Sequence, residues 1–344
     1  MNIITLITLL FTLILPACED FDSPPTDNDF EDAVFLQVEV GENVEVPFVD
    51  EGIEKSYSST NIFLPTLSAG QYRDYTITIN ANEIPNAWAI PINETGNLDV
   101  RLYRGTVLVS SSSKPVGYVE RILLPPASYS TGTYLIRFLC MSGTCSYSGI
   151  IGKSDNNKLT RWLPYENQRS HLNRSGRCRI NGVTQADGEC ACADASAAMQ
   201  ITADGKRRLS DKKRIVDLLF PVVNTGADGA AIADNLKNLL TSSYGYSNCY
   251  YASGSSLYSQ LQSALQSGFF VVMSLYMNTG GHFVSVHGFD TSISPYKVLI
   301  SDPYGALSGT TWSSFNGTTD SSSSGANRWI NWSALSPNRA LICY

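Results

Sequence analysis

Three stretches in the C-terminal half decide the fold: Q-A-D-G-E-C-A-C-A-D-A-S-A-A-M at 185–199, G-G-H-F-V-S-V-H-G-F-D at 280–290 and I-S-D-P-Y-G at 300–305. The first places Cys192 at the start of an alanine-rich helical pattern. The second follows two glycines and is a strand pattern, and the third ends a strand at a proline, which cannot donate to a β-ladder. The chain therefore orders a cysteine on a helix, a histidine on a strand and an aspartate after the next strand.

The rest of this half reads as helices first and strands afterwards. Helical patterns cover 193–202, 211–220, 230–240 and 255–268. The last pattern ends at Gly268, a residue suited to the C-terminus of a helix. Strand patterns cover 269–276, 281–290, 296–303 and 339–344. This order predicts an α+β domain with a mainly antiparallel sheet over residues 177–344.

Residues 34–153 carry short alternating runs separated by turn residues, which predict an antiparallel β-sandwich. The runs L-D-V-R-L-Y-R-G, G-T-Y-L-I-R-F and S-Y-S-G-I-I-G resemble the pre-peptidase C-terminal domain that accompanies secreted bacterial proteases. The predicted role is adhesion or substrate presentation, or else a spacer that positions the second domain. Residues 154–176 are polar and irregular around W-L-P-Y, and they are predicted to be a linker.

The N-terminus predicts export. The apolar run from Ile3 to Leu15 is too short for a bilayer span of about 20 residues and is typical of a signal peptide over 1–17. Its end, L-P-A-C, resembles the lipobox of bacterial lipoproteins, which implies that Cys18 is lipidated. The alternative is plain export with Cys18 as a spare thiol. Residues 18–33 would then be the lipidated cysteine and an acidic tether that holds the folded part at the cell envelope.

Composition limits the partners. Hydrophobic residues make up 43% and charged residues 16%, against roughly 25% charged in ordinary soluble domains, so most of the chain should fold. The net charge of −7 leaves no long basic stripe for phosphates and excludes nucleic acid as an expected partner. Eight cysteines predict an oxidising compartment. No metal or other cofactor is expected, because the three histidines are not at ligand spacing and C-A-C lacks a second pair.

Together, the three stretches resemble the papain-fold cysteine peptidases, in the branch of the double-glycine leader peptidases of bacteriocin exporters. The resemblance implies that Cys192 is the nucleophile and Gln185 the oxyanion-hole side chain. It further implies that His282 is the base and that Asp302 orients its imidazole. The expected substrate is a peptide or protein.

Physical chemistry supports these roles independently. A free thiol with a pKa near 8.5 is mostly protonated at neutral pH, and a helix N-terminus and a nearby imidazolium stabilise its anion. His171 precedes the cysteine, outside the order that the resemblance requires. His287 lies an odd number of residues after His282, so on a regular strand the two rings face opposite sides. Asp290 competes with Asp302, but it falls at a turn, where aspartates are usually structural.

Cysteine counting separates Cys192 from its rival Cys190. With Cys18 lipidated and Cys192 kept as the nucleophile, an even number of cysteines remains for disulfides: Cys140, Cys145, Cys178, Cys190, Cys249 and Cys343. The spacing of the first two predicts a disulfide across a hairpin. The other partners stay open on count alone, with Cys178–Cys190 and Cys249–Cys343 favoured.

One residue departs from the family pattern. The family commonly reads C-G-P at the nucleophile, whereas this chain reads C-A-D and places Asp194 in the first helical turn. Its charge would stabilise the helix N-terminus, or, if it reached the thiolate, would raise the thiol pKa. The sequence thus predicts an exported, membrane-anchored cysteine peptidase. The alternatives are an inactive binding or adhesion lipoprotein and a transglutaminase-like thiol acyltransferase.

Overall fold

The computed structural model of the chain describes residues 44–45, 60–123, 130–277, 280–305 and 325–344. The predicted signal peptide, Cys18 and the acidic tether lie outside these residues. None of the helices in the described ranges combines the length and the apolar character that a bilayer span requires.

The N-terminal part is a sandwich of two sheets. Its strands are β1 (Val44–Glu45), β2 (Thr60–Phe63), β3 (Leu67–Ser68), β4 (Tyr72–Ile79), β5 (Glu83–Pro91), β6 (Gly96–Arg104), β7 (Val107–Ser112), β8 (Glu120–Leu123), β9 (Gly132–Cys145) and β10 (Tyr147–Asp155). One sheet has the order β1-β4-β9-β6-β7, with β3 paired to β9, and the other has the order β2-β10-β5-β8. Among the described pairs only β1 with β4 is parallel; the others are antiparallel.

The alternating pattern explains the sandwich. Side chains at every second position point to the same face, so each sheet contributes one apolar face to a shared core. Residues of the first sheet such as Ile77, Val100 and Phe138 pack in this core with Ala87 and Ile151 of the second sheet. The predicted fold class, an α+β chain that begins with a β-sandwich, is confirmed.

The C-terminal part contains the helices and a larger sheet. Its strands are β11 (Lys158–Thr160), β12 (Arg179–Ile180), β13 (Val183–Thr184), β14 (Cys249–Ser253), β15 (Phe270–Met277), β16 (Gly280–Asp290), β17 (Lys297–Ser301), β18 (Arg328–Asn331) and β19 (Pro337–Cys343). Its helices are α1 (Cys192–Ala203), α2 (Lys212–Val223), α3 (Ala233–Ser243) and α4 (Leu257–Gln266). The seven-stranded sheet has the order β14-β19-β15-β16-β17-β18, with β11 paired to β16, while β12 and β13 form a separate hairpin.

Helix α1 is the buried centre of this part. Residues 193–203 are all buried, and the alanines among them let the helix approach the sheet closely. Polar side chains fasten it there. Ser196 Oγ donates to the carbonyl oxygen of Phe283, and Ser285 Oγ donates to that of Ser196. Gln200 Nε2 donates to the carbonyl oxygens of Val271 and Val286, so α1 is fixed against both β15 and β16.

The segment predicted as a linker, residues 154–176, packs onto the C-terminal part. Strand β11 pairs with β16, with Leu159 opposite Phe289. Residues 161–171, which we call the strap, continue from β11 across the surface of the C-terminal part. In the strap Leu163 packs against Met199 and Ala203 of α1. The strap is therefore part of the folded unit, because long-range contacts supply the order that its local sequence lacks.

The outer face of the second sandwich sheet rests on the C-terminal part. Trp88, Val119 and Ile150 form a small core there with the partly buried Trp162 and Leu209. Beside that core, the carboxylate of Asp204 pairs with Arg121 of β8 and, at 3.1 Å, with the buried Arg161 of the strap. A buried ion pair and an apolar core together hold the sandwich on the C-terminal part.

Three disulfides cross-link the described chain: Cys140–Cys145, Cys178–Cys190 and Cys249–Cys343. They are the three pairs that the sequence analysis favours. Cys249 and Cys343 sit opposite each other in the register of β14 and β19. The Cys178–Cys190 bond joins the start of the β12–β13 hairpin to the turn that precedes α1.

Candidate active site

Cys192 begins α1, and it is the free cysteine of the described residues. The residue is half-buried, whereas residues 193–203 of the helix are buried. Among the described residues, the N-cap residue Ala191 makes no side-chain hydrogen bond to this helix end. The unpaired backbone N–H groups and the positive end of the helix dipole are therefore free to act on a negative charge at the sulfur.

His282 and Asp302 form a buried pair beside it. Nε2 of His282 lies 2.7 Å from Oδ1 of Asp302, and the two residues are 4% and 0% exposed. Strand β16 brings the histidine to this position, and the aspartate follows the last residue of β17, the next strand in the sheet. At this distance the ring donates a hydrogen bond from Nε2 to the carboxylate, which fixes the orientation of the imidazole.

The same imidazole is hydrogen-bonded to the side chain of Cys192. Because Nε2 is engaged by Asp302, Nδ1 is the ring nitrogen left for the sulfur. Burial lowers the pKa of His282, but the charge and hydrogen bond of Asp302 and the bond to Cys192 outweigh it and raise the pKa to about 10. These contacts favour a protonated His282 ring beside the carboxylate of Asp302.

Tyr304 supports this pair and is a residue that the sequence analysis missed. Its backbone N–H donates to Oδ1 of Asp302 at 2.8 Å, and its ring meets the ring of His282 edge to face. Its hydroxyl donates to Glu189, three residues before Cys192, and Arg169 holds the same carboxylate. The signal was present in the D-P-Y-G motif, where Tyr304 lies two residues after the aspartate.

Gln185 lies before the turn that leads to Cys192. Its backbone N–H donates to the carbonyl oxygen of Cys178 at 2.8 Å, and the residue is half-buried. Its side chain has no hydrogen-bond partner among the described residues. The structure thus ties the backbone of Gln185 to Cys178, the disulfide partner of Cys190.

The competing residues have other partners. Nδ1 of His287 lies 2.8 Å from the carbonyl oxygen of Arg161 and Nε2 lies 3.1 Å from Ser301 Oγ, while burial lowers its pKa to about 4. Asp290 pairs with Lys158 and accepts two hydrogen bonds from Ser292, one from the backbone and one from the hydroxyl. These residues stabilise the sheet and its turns, away from Cys192.

His171 belongs to the strap and is almost completely buried. Its Nδ1 lies 2.7 Å from Asp217 of α2, and its Nε2 lies 3.2 Å from Glu166. Burial lowers the pKa of His171, but the hydrogen bonds and charges of the two carboxylates outweigh it and raise the pKa. This histidine ties the strap to α2.

Asp194 points into the protein core. It is 0% exposed, and neither buried carboxyl oxygen has a hydrogen-bond partner in another of the described residues. Burial raises its pKa well above the ordinary aspartate value, and Cys192 is not among the groups that shift it. Burial therefore opposes the charged form of Asp194, which weakens both effects that the sequence analysis considers for its charge.

In the described residues, no group of three or more His, Cys, Asp and Glu side chains is arranged to hold a metal ion.

The chain was compared with known proteins. A family model described as Peptidase_C39 like family matches residues 162–336, a segment that contains Cys192, His282 and Asp302. A search of curated proteins found no match to the chain.

Proposed function

The chain belongs to the Peptidase_C39 like family, whose match supports a papain-fold cysteine peptidase, and from this premise we propose an exported, membrane-anchored cysteine peptidase. The observation that carries the proposal is the chain of contacts from Cys192 through His282 to Asp302. Within the family, the quoted stretches favour the double-glycine leader peptidase branch. The substrate class is a peptide or protein.

In the proposed reaction His282 takes the proton of the Cys192 thiol, so that the resting site is a thiolate–imidazolium pair. The sulfur attacks the carbonyl carbon of the scissile peptide bond. The resulting oxyanion accepts hydrogen bonds from the backbone N–H of Cys192 and the side-chain amide of Gln185. Asp302 keeps the imidazolium oriented by accepting a hydrogen bond from its Nε2–H group.

The tetrahedral intermediate collapses when His282 donates its proton to the leaving amine, which breaks the C–N bond and leaves a thioester on Cys192. The neutral imidazole then removes a proton from a water molecule, and the hydroxide attacks the thioester. The second intermediate releases the carboxylic acid product and restores the thiolate. The burial of Asp194 supports turnover, because burial disfavours the charged form of this carboxyl, and it is the charged form that would oppose thiolate formation.

A thiol-directed electrophile tests this proposal. We expect iodoacetamide at neutral pH to modify Cys192 in the full-length chain purified in detergent, and the modification to abolish casein hydrolysis in parallel. Peptide mapping would identify the modified residue. Hydrolysis that persists after complete modification of Cys192 would contradict the proposal, and a reactive Cys192 without any hydrolysis would favour the thiol acyltransferase alternative, tested with an added amine acceptor.

The membrane anchor is a separate proposal that rests on the L-P-A-C pattern at residues 15–18. We expect Cys18→Ser to move the protein from the membrane fraction to the soluble fraction, because the lipid would be its anchor. Fractionation of cells followed by immunoblotting measures this. Unchanged retention in the membrane fraction would contradict the anchor and leave the peptidase proposal untouched.

A further inference from the structure

Gln168, in the strap, contacts both of the loops that carry the proposed catalytic residues. Its side-chain Nε2 donates to the carbonyl oxygens of Gly188 at 2.8 Å and of Glu189 at 3.3 Å, in the turn before Cys192. Its backbone N–H donates to the carbonyl oxygen of Pro303 at 2.9 Å, directly after Asp302. We propose that Gln168 is a positioning residue that sets Cys192 relative to the His282–Asp302 pair, an inference that rests on the proposed function.

The neighbouring contacts make this bridge tight. The hydroxyl of Tyr165 donates to the carbonyl oxygen of Asp302 at 2.9 Å. The backbone N–H of Gly188 donates to the carbonyl oxygen of His171, also at 2.9 Å. A Cβ atom added at Gly188 would lie 2.3 Å from the carbonyl oxygen of Gln168. Only glycine allows the strap and the turn to approach this closely. The two segments are therefore in close backbone contact.

The turn bound by Gln168 determines where α1 begins. The backbone N–H of Ala191 lies 3.4 Å from the carbonyl oxygen of Gly188, and the helix starts at the next residue, Cys192. Gln168 is 1% exposed, so replacing its amide by an apolar group would remove a buried donor from the carbonyl oxygens of Gly188 and Glu189, and the Gly188 carbonyl would keep only backbone donors of its own turn, at a cost in free energy. A shift of the turn relieves that cost and moves the thiol and its N–H relative to the imidazole.

The chain provides a matched control in Gln200. This residue is also fully buried, and its Nε2 also donates to two backbone carbonyl oxygens, at 3.1 Å and 3.0 Å. Both glutamines have a buried Oε1 that has no hydrogen-bond partner within the part of the chain that the structure describes. Gln200 fastens the middle of α1 to the sheet, whereas Gln168 contacts the turn at its start. Removing either side-chain amide therefore breaks two comparable hydrogen bonds. The bonds of Gln200 hold the middle of α1, whereas those of Gln168 hold the turn before Cys192.

The experiment compares Gln168→Met and Gln200→Met in the full-length chain. The first readout is the rate of alkylation of Cys192 by iodoacetamide from pH 4 to pH 9, which follows the thiolate fraction without requiring turnover. We expect Gln168→Met to move the midpoint of this profile to higher pH and to lower kcat for casein-derived peptides about 10- to 100-fold, with KM within about 2-fold. We expect Gln200→Met to lower the unfolding temperature and to leave both the profile and kcat unchanged.

Gln168→Glu is the second variant, and it also covers the case in which Gln168→Met does not fold. A carboxyl placed against two carbonyl oxygens donates a hydrogen bond only when protonated. We therefore expect its alkylation rate, relative to the unsubstituted chain, to be close to normal at acidic pH and to fall as pH rises. An alkylation profile in either Gln168 variant identical to that of the unsubstituted chain would overturn the inference, as would an equal shift in Gln200→Met. Failure of the peptidase proposal is distinct, since it would appear as absent hydrolysis in the unsubstituted chain.

Discussion

Nε2 of His282 lies 2.7 Å from Oδ1 of Asp302, and Tyr304 donates its backbone N–H to the same oxygen. Two donors on one carboxylate oxygen hold the aspartate in a single orientation. The pair is buried, so the attraction between the carboxylate and the imidazolium is screened little by water. The protonation state of His282 therefore depends on the charge of Asp302.

Asp302→Asn tests that dependence. The charge of Asp302 is the leading cause that raises the pKa of His282, so its removal lowers that pKa. Activity that requires the imidazolium is present below the pKa of His282 and lost as pH rises through it. We therefore expect the alkaline limb of the pH–kcat profile to move to lower pH and kcat to fall roughly 100-fold or more. A normal rate with an unmoved alkaline limb would contradict the assigned role.

Asp194→Asn tests the buried carboxyl. Because burial raises its pKa in the folded state, folding binds a proton at this site, and stability falls as pH rises from about 4 toward the raised pKa. Asparagine does not ionise, so the unfolding free energy of the variant relative to the unsubstituted chain should increase with pH. Urea denaturation at pH 5 and pH 8 measures this. We also expect the acidic limb of the pH–rate profile to stay in place, and a shift of that limb would show that Asp194 acts on Cys192.

His171→Phe tests the link between the strap and α2. The carboxylates of Glu166 and Asp217 raise the pKa of His171, so its stabilising effect is complete below about pH 6.5 and declines as pH rises through the folded-state pKa. We expect the variant to lose about 1–3 kcal/mol of unfolding free energy at pH 6. The loss should shrink at higher pH. A loss that is constant from pH 6 to pH 9 would show that the imidazole charge contributes nothing.

Local patterns predicted the elements that carry the proposed site. The alanine-rich run after Cys192 and the alternation around His282 are strong periodic signals, and α1 and β16 form where those signals lie. The strap was not predictable in the same way. The sequence of the strap has neither helical nor strand periodicity. Its conformation depends on distant partners: the hydroxyl of Tyr165 in the strap, for example, donates to the carbonyl oxygen of Asp302, 137 residues later. Gln168 was missed for this reason.

The direction of Asp194 could not be read from the sequence either. Its position in the first turn of α1 suggested a charged carboxylate that either stabilises the helix N-terminus or acts on the thiolate. Helix α1 is instead covered on all sides, so even its polar positions are buried. Only the packing of the helices and sheet around α1 buries this carboxyl and so raises its pKa.

The most direct test of the account is casein hydrolysis by the full-length Cys192→Ala variant, with Cys190→Ala as its control. Cys190 is disulfide-bonded to Cys178, so its replacement should lower stability by roughly 2–4 kcal/mol and preserve turnover at temperatures where the protein is folded. We predict that Cys192→Ala abolishes hydrolysis while the fold, measured by circular dichroism, is unchanged. Hydrolysis at the normal rate by Cys192→Ala would contradict the assignment of Cys192 as the nucleophile.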